Sequence, residues 1–301
     1  MAEKLFLDLK KAATGGSYFS EKLLSFKAFD YQEKIDWSNN KILIRGGRRT
    51  GKDTIIANRR IIPFMWTTFC PVKKRLVKAP RIGVFCPGWE EADTFMDIFR
   101  MSLEDTPLQK SIVINNKFDV TLSNKSRLIC RIANKLAKGK RGRGFDLLYF
   151  VEADYIPDED YAAIRPSRLV GSAPEILASS PCGDDNFSTR AENSGLYQVH
   201  VWQTYMNPLV DNKELQDERK LMTDLEYRQE YLAERISGVG QAIPDELIKK
   251  MWQGKGLKFL EKAEPERKYV AGVDLARRRD KATMYVLDVD FPDCTIAFYH
   301  E

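Results

Sequence analysis

The sequence predicts an α/β fold in which a mostly parallel sheet is flanked by helices. Three observations carry that expectation. Short apolar runs alternate with longer helix-compatible stretches, the runs Asp146 to Val151 and Glu175 to Ala178 are almost continuously apolar, and a glycine-rich turn joins the first run to the first helix. Continuous apolar runs of this length mark strands covered on both faces, as parallel strands are.

The elements follow in order. Lys41 to Arg45 reads as a strand ending in glycines, with helix from Lys52 to about Met65. Arg81 to Cys86 is a second strand and Trp89 to about Leu103 a second helix. Residues 111–132 alternate and break at Asn115-Asn116 and at Asn124, which predicts a small antiparallel excursion. Asp146 to Val151 and Glu175 to Ala178 are buried strands, the latter closing on Ser179-Ser180-Pro181. Charged helical sequence covers about 212–235, and a Gly- and Lys-rich stretch, roughly 253–268, reads as a linker. Tyr269 to Val273 and Met284 to Val289 then read as two strands of a new sheet.

Bulk properties narrow the function classes. The 301 residues are 43% hydrophobic and 30% charged, a globular rather than a disordered composition. No run approaches the ~20 apolar residues of a membrane span, and the N-terminus lacks an uninterrupted apolar core, so a soluble, intracellular protein without a secretion signal is expected. Cys70, Cys86, Cys130, Cys182 and Cys294 form no CxxC pair and only His200 and His300 accompany them, which argues against structural zinc and against a disulfide framework. They read as buried reduced thiols. The net charge of +5 is mild. Basic residues concentrate at 73–78, 135–143 and 277–281, and the last two clusters abut the motifs below.

Gly46-Gly47-Arg48-Arg49-Thr50-Gly51-Lys52-Asp53 fits the Walker A spacing of a P-loop NTPase, with Asp53 where Ser or Thr is usual and Thr54 following. Such a loop needs glycines so that backbone N–H groups curl around phosphate, a helix start for positive potential, and a lysine for the β- and γ-phosphates. Placement between a strand and a helix is the context the motif requires. Upstream, the amide of Gln32 is suited to read an adenine edge beside Phe29 and Tyr31, and an ordinary surface glutamine is the alternative. Leu147 to Pro157 ends a buried strand in carboxylates, at the sheet edge where open α/β folds bind ligands. A Walker B strand needs an acid there to hold Mg²⁺ and a glutamate to orient the attacking water, and a hydrophobic strand entering an acidic surface loop is the alternative. Ser179 and Ser180 are placed to sense phosphate or simply to form a hydroxyl turn.

Together these segments resemble the large terminase subunits of tailed bacteriophages and related viruses. The matching features are the Gln32 segment, GGRRTGKD, FVEADYIP, the SSP motif, TYMNPLVD (204–211), EYRQEYLAE (226–234) and YVAGVDLARRRD (269–280). The resemblance implies an ATP- and Mg²⁺-dependent DNA-packaging motor in three parts. These are a P-loop ATPase domain over 1–205, a linker subdomain over 206–265, and the beginning of a ribonuclease-H-like nuclease over 266–301. It implies that residues 46 to 54 cradle ATP, Lys52 binds the β- and γ-phosphates, Arg48 acts on them in cis, Glu152 is the catalytic glutamate, and Ser179 and Ser180 couple hydrolysis to movement. Arg141 is implied as the finger reaching a neighbouring subunit's ATP, with Arg143 its rival and a DNA-facing basic loop the other alternative. Asp274 and Asp280 match nuclease metal ligands. The further acids that two-metal cleavage needs have no place before Glu301, so no competent nuclease is expected of this chain. The implied partners are double-stranded DNA bound without sequence preference, a small terminase subunit, and a portal on which a homo-oligomeric ring assembles. The implied location is the host cytoplasm, transiently at the procapsid portal.

Two positions depart from the family pattern: Asp53 replaces Ser or Thr, and Val151 replaces the strand-end Asp. Valine cannot ligate a cation, so the simplest reading moves the Mg²⁺ carboxylate to Asp53, with Glu152 beside it. The alternatives are that Asp53 caps the helix, or that hydrolysis is lost and a nucleotide-binding structural module remains. A different P-loop motor such as a helicase is disfavoured by the nuclease-like tail.

Overall fold

The computed structural model describes residues 17–66, 79–133, 144–168, 172–183, 185–236, 267–274, 283–288 and 295–300. The chain divides into two compact units, Met1–Val239 and Gly240–Glu301. All three basic clusters, Cys70 and Cys294 lie outside the described residues.

The first unit is built on an eight-stranded sheet. Its strands are β1 (Lys41–Gly46), β2 (Arg81–Cys86), β3 (Ile112–Asn116), β4 (Asp119–Leu122), β5 (Arg127–Ile132), β6 (Leu147–Val151), β7 (Glu175–Ser179) and β8 (Gln198–Trp202). They lie in the order β3-β4-β5-β2-β6-β7-β1-β8. From β5 to β8 all neighbours are parallel, while β3 and β4 form the antiparallel excursion. The mostly parallel α/β sheet read from the sequence is therefore the observed one. β8 and the short helix α1 (Ser17–Leu23) were not foreseen.

Helices cover both faces. On one lie α1, α2 (Lys52–Ile56), α3 (Ile62–Trp66) and α4 (Trp89–Met101), contributing Phe19, Ile55, Ile62, Met65, Phe95 and Phe99 to the larger core. On the other lie α5 (Asp158–Ile164) and α6 (Phe187–Asn193), where the rings of Tyr161 and Phe187 stack with centroids 3.5 Å apart. The two-residue period of a strand sorts β6 between them: Leu147, Tyr149 and Val151 enter the first core, Leu148 and Phe150 the second.

The helical stretch expected from Lys52 to Met65 forms, interrupted by a π-helical turn at Ala57–Ile61. Arg59 and Arg60 in that turn are buried. Arg59 pairs with Glu33, and Arg60 donates to the Trp37 carbonyl at 2.9 Å, with burial lowering its pKa to about 10. These bonds pin the segment that precedes β1. The helical stretch near the end of this unit divides into α7 (Asn212–Leu221) and α8 (Asp224–Glu230). Thr223 and Glu226 cap the second helix reciprocally, satisfying N–H groups that would otherwise stay unpaired.

The second unit contains β9 (Tyr269–Asp274), β10 (Thr283–Asp288) and β11 (Thr295–His300), antiparallel in the order β11-β10-β9. Both expected strands are present, and β11 adds a third.

No described helix is long and apolar enough to cross a membrane. Cys86, Cys130 and Cys182 are free thiols; the first two are buried with their sulfurs 3.8 Å apart, and Cys182 is half-buried.

Candidate active site

Parallel strands deliver their carboxyl ends to one edge of a sheet, and that is what brings these residues together. β7 lies between β1 and β6, with Arg45 registered against Ser179 and Val151 against Ala178. The glycine-rich loop after β1, Glu152 after β6, Ser179 and Ser180 at the end of β7, and Thr204 beyond β8 therefore share one edge.

The loop is tightly braced. Arg49 and Gly51 take left-handed backbone conformations, φ 62° and 72°, and a Cβ on Gly51 would stand 3.0 Å from Gln32 Nε2. Thr50 Oγ1 donates to the Gly47 carbonyl at 2.8 Å. On the outer side Gly47 N donates to Trp202 O (2.9 Å), Arg48 N to Glu230 O (2.7 Å), Thr204 Oγ1 to Arg48 O (2.8 Å) and Asn207 Nδ2 to Arg49 O (2.6 Å). The backbone N–H groups of residues 49 to 53 donate to no described residue. Unpaired N–H groups converging at a helix start suit an anion, and they are the feature that fits a triphosphate to this loop.

Lys52 is buried, and its ammonium donates to Gly46 O at 3.1 Å and Ser180 Oγ at 3.2 Å while lying 3.4 Å from Glu152 Oε1. Glu152 itself stands at φ 43°, a left-handed conformation that costs a non-glycine residue about 1–3 kcal/mol. Its Oε2 accepts from Ser180 N (2.8 Å) and Ser179 Oγ (3.2 Å). Two residues on, the buried Asp154 accepts from Cys182 N at 3.0 Å and pairs with Arg235, which also holds Glu192 at 2.8 Å.

Asp53 sits half-buried in the first turn of α2, where Oδ1 accepts a hydrogen bond from Tyr149 Oη. Burial pushes its carboxyl pKa above the ordinary value and the nearby Glu152 adds to this, while the Tyr149 bond and the Lys52 charge oppose it. Among the described residues Tyr149 is the only hydrogen-bond partner of this carboxylate, through Oδ1. Val151 is 2% exposed within the apolar core. Among the described residues no three His, Cys, Asp or Glu side chains form a metal-holding group.

Other expected site residues fall differently. Gln32 is buried, with Oε1 accepting from Phe29 N at 3.1 Å in its own segment and Nε2 donating to Thr50 O at 3.1 Å, so one end of the amide is fixed locally and the other braces the loop. Tyr31 donates to the same carbonyl at 2.8 Å, and burial raises its pKa to about 12. Arg48, expected on the phosphates, is ion-paired to Glu230 with 65% of its side chain exposed. Thr54 begins the turn that Asn58 closes by donating to its carbonyl at 2.9 Å. Arg141, Arg143 and Asp280 lie outside the described residues, and Asp274 ends β9. Tyr149, Thr204, Glu230 and Arg235 were not anticipated as site residues.

No family model matches the chain. It is 27% identical over 194 residues to the terminase large subunits of Thermus phage G20c and Thermus virus P23-45, a match covering 53% of this chain and 39% of each relative. The Thermus phage P74-26 large terminase ATPase domain superposes with a TM-score of 0.58 at 18% identity, covering 72% of this chain and 97% of that one. The HK97 bacteriophage large terminase gives 0.60 at 16% identity, covering 96% of this chain and 66% of that one. The large terminase of a thermophilic bacteriophage, solved in complex with ATP-gamma-S and with ADP, gives 0.52 and 0.51. The chain is thus similar in sequence to the large terminase subunits of Thermus phages, and its fold is that of phage large-terminase ATPase domains.

Proposed function

We propose that this chain is the motor part of a large terminase, hydrolysing ATP with Mg²⁺ to drive double-stranded viral DNA into a capsid. The observation that carries the reading is the meeting of Lys52, the unpaired loop N–H groups, Glu152 and Ser179-Ser180 at one sheet edge. Phosphoryl transfer asks the protein mainly to position groups and to stabilise charge, and these residues supply both.

In this reading the N–H groups of the loop bind the phosphate chain and Lys52 neutralises its terminal part. Glu152 orients and deprotonates the attacking water. Gln32 and Tyr31 act through Thr50, whose carbonyl they hold, to keep the loop in its binding shape. Asp53 holds the Mg²⁺ in place of the acid missing at Val151; the ion's contribution when bound is to neutralise phosphate charge. Arg48 exchanges Glu230 for phosphate. Arg141 completes a neighbouring subunit's site, a contribution worth ~10³–10⁵ in rate in related phosphoryl-transfer systems. Asp274 and Asp280 are metal ligands of an attached nuclease. Portal, small subunit and a ring of like chains are the proposed partners, in the host cytoplasm.

The buried Val151 favours one rival, a nucleotide-binding module without hydrolysis. A phosphate-release assay with and without Mg²⁺ and double-stranded DNA separates them. The motor reading expects magnesium-dependent turnover that DNA stimulates; nucleotide binding with no turnover in assembled protein would overturn it.

A further inference from the structure

Tyr149 is the one polar side chain among the residues that β6 sends into the larger core. Its ring is fully buried and packs edge-on against Phe95 with centroids 5.5 Å apart. A buried phenol needs a partner for its hydroxyl, and among the described residues Asp53 Oδ1 is that partner. The neighbours of Tyr149 on the same strand face, Leu147 and Val151, are hydrocarbon. Asp53 is thereby gripped by one oxygen from below, and its other oxygen bonds to no described residue. A half-buried carboxylate held by one hydroxyl is weak evidence for stability, because desolvation offsets the gain.

We propose that Tyr149 is the positioning residue for the metal ligand of this site. By donating to Oδ1 it fixes the rotamer of Asp53 and leaves Oδ2 for the divalent cation that accompanies the nucleotide. Tyr149 and Asp53 jointly replace the acid that Val151 has displaced from the end of β6. The pairing accounts for both departures at once: a carboxylate moved onto the helix loses its strand anchor, and a phenol one pleat below supplies a new one. The inference rests on the reading of Asp53 as the ion's ligand.

The test measures metal affinity rather than turnover. Tyr149→Phe removes one oxygen and keeps the packing, and Asp53→Asn removes the ligand charge. For each protein, binding of a fluorescent non-hydrolysable ATP analogue is titrated without metal and then with Mg²⁺, a melting curve checks the fold, and Mn²⁺ bound to the analogue-loaded protein is followed by electron paramagnetic resonance. Tyr149→Phe is expected to leave metal-free analogue affinity unchanged and to raise the half-saturating metal concentration about 10-fold or more, the usual effect of losing an outer-shell partner. Asp53→Asn is expected to abolish the metal-dependent gain. If Asp53→Asn does so while Tyr149→Phe titrates like the unmodified protein, the positioning role is wrong and the ligand role stands. If neither variant changes the metal titration, the ligand role itself fails. A Tyr149→Phe protein that weakens metal-free and metal-dependent binding equally marks Tyr149 as structural and also overturns the proposal.

Discussion

Replacing Gly47 by alanine tests the way the phosphate loop is held. A Cβ there would stand 2.6 Å from the Tyr231 carbonyl, 2.7 Å from Thr204 Oγ1 and 3.0 Å from the Glu230 carbonyl. The conflict is with packing and not with backbone conformation, since Gly47 has no left-handed φ. Two of the three obstacles are backbone atoms at the end of α8, so no side-chain rotation relieves them. The loop and that segment must separate by about an ångström, which strains the Arg48 N to Glu230 O bond (2.7 Å) and the Thr204 N to Tyr231 O bond (2.8 Å). Overpacking of this kind costs about 1–3 kcal/mol. For a domain of this size that lowers the melting temperature by roughly 3–10 °C, and it weakens nucleotide binding about tenfold for each 1.4 kcal/mol lost from the bound form. Gly46→Ala is the control: its Cβ meets Thr50 Oγ1 at 2.8 Å and Lys52 Cδ at 3.1 Å, both movable side-chain atoms. It should melt close to the unmodified protein while binding nucleotide less well through a displaced Lys52. Differential scanning calorimetry and analogue titration read both effects. If Gly47→Ala melts and binds normally, the close seating of the loop against α8 is refuted.

Asp53→Ala should abolish magnesium-dependent hydrolysis and keep part of the nucleotide affinity through Lys52 and the loop N–H groups, and Asp53→Ser combined with Val151→Asp should restore turnover; near-normal hydrolysis by Asp53→Ala alone would dismiss Asp53 as the ion's ligand. Glu152→Gln should cut turnover by ~10²–10⁴ without weakening ATP binding, because its partner Lys52 is then free for phosphate; parallel losses of binding and turnover would argue against a role in chemistry. DNA affinity, measured by fluorescence anisotropy on unrelated duplexes, should be indifferent to sequence and fall steeply with salt, and a flat salt response would contradict contact through phosphates.

The sheet was legible because parallel strands announce themselves. Leu147 to Val151 and Ile176 to Ala178 contain no charged or amide side chain, and both strands are buried at every position. β8 was missed although Gln198-Val199-His200-Val201 alternates polar with apolar, because so short an alternation carries little signal; its burial does not follow the alternation, with Val201 42% exposed and Trp202 alone in the strand fully covered. The break between α7 and α8 was readable in principle from Thr223 and Glu226, whose three-residue spacing is a capping box, but the surrounding charge pattern is helical on both sides. The loop declared itself by its glycines, whereas Thr204 and Glu230 bond it from positions 156 and 182 residues away. No local pattern reports a contact of that separation. Tyr149 was hidden for a different reason: inside an apolar run a tyrosine counts as hydrophobic, and only the partner of its hydroxyl reveals a polar task.

The Lys52–Glu152 pair connects chemistry to movement in the proposed motor. As the residues stand, each charge is spent on the other at 3.4 Å, and neither is free for a phosphate or a water. Ser180 is bonded to both, donating its N–H to Glu152 and receiving the Lys52 ammonium on Oγ. A phosphate that takes up Lys52 therefore competes with its bond to Ser180 Oγ and leaves Glu152 held by Ser179 Oγ and Ser180 N. Exchanges of charged hydrogen bonds are worth about 1.5–3 kcal/mol each, enough to bias a two-state element. β7 itself is a poor candidate for that element, because it is laddered to β1 and β6 on both sides. Just beyond it the ladder ends, Cys182 N donates to Asp154 at 3.0 Å, and Gly183 follows at φ 66°. Asp154 in turn grips Arg235, which follows α8. A change of partner at Ser180 thus has a short bonded route to the segment leaving the first unit, through Cys182 and Asp154, without any strand of the sheet having to slide.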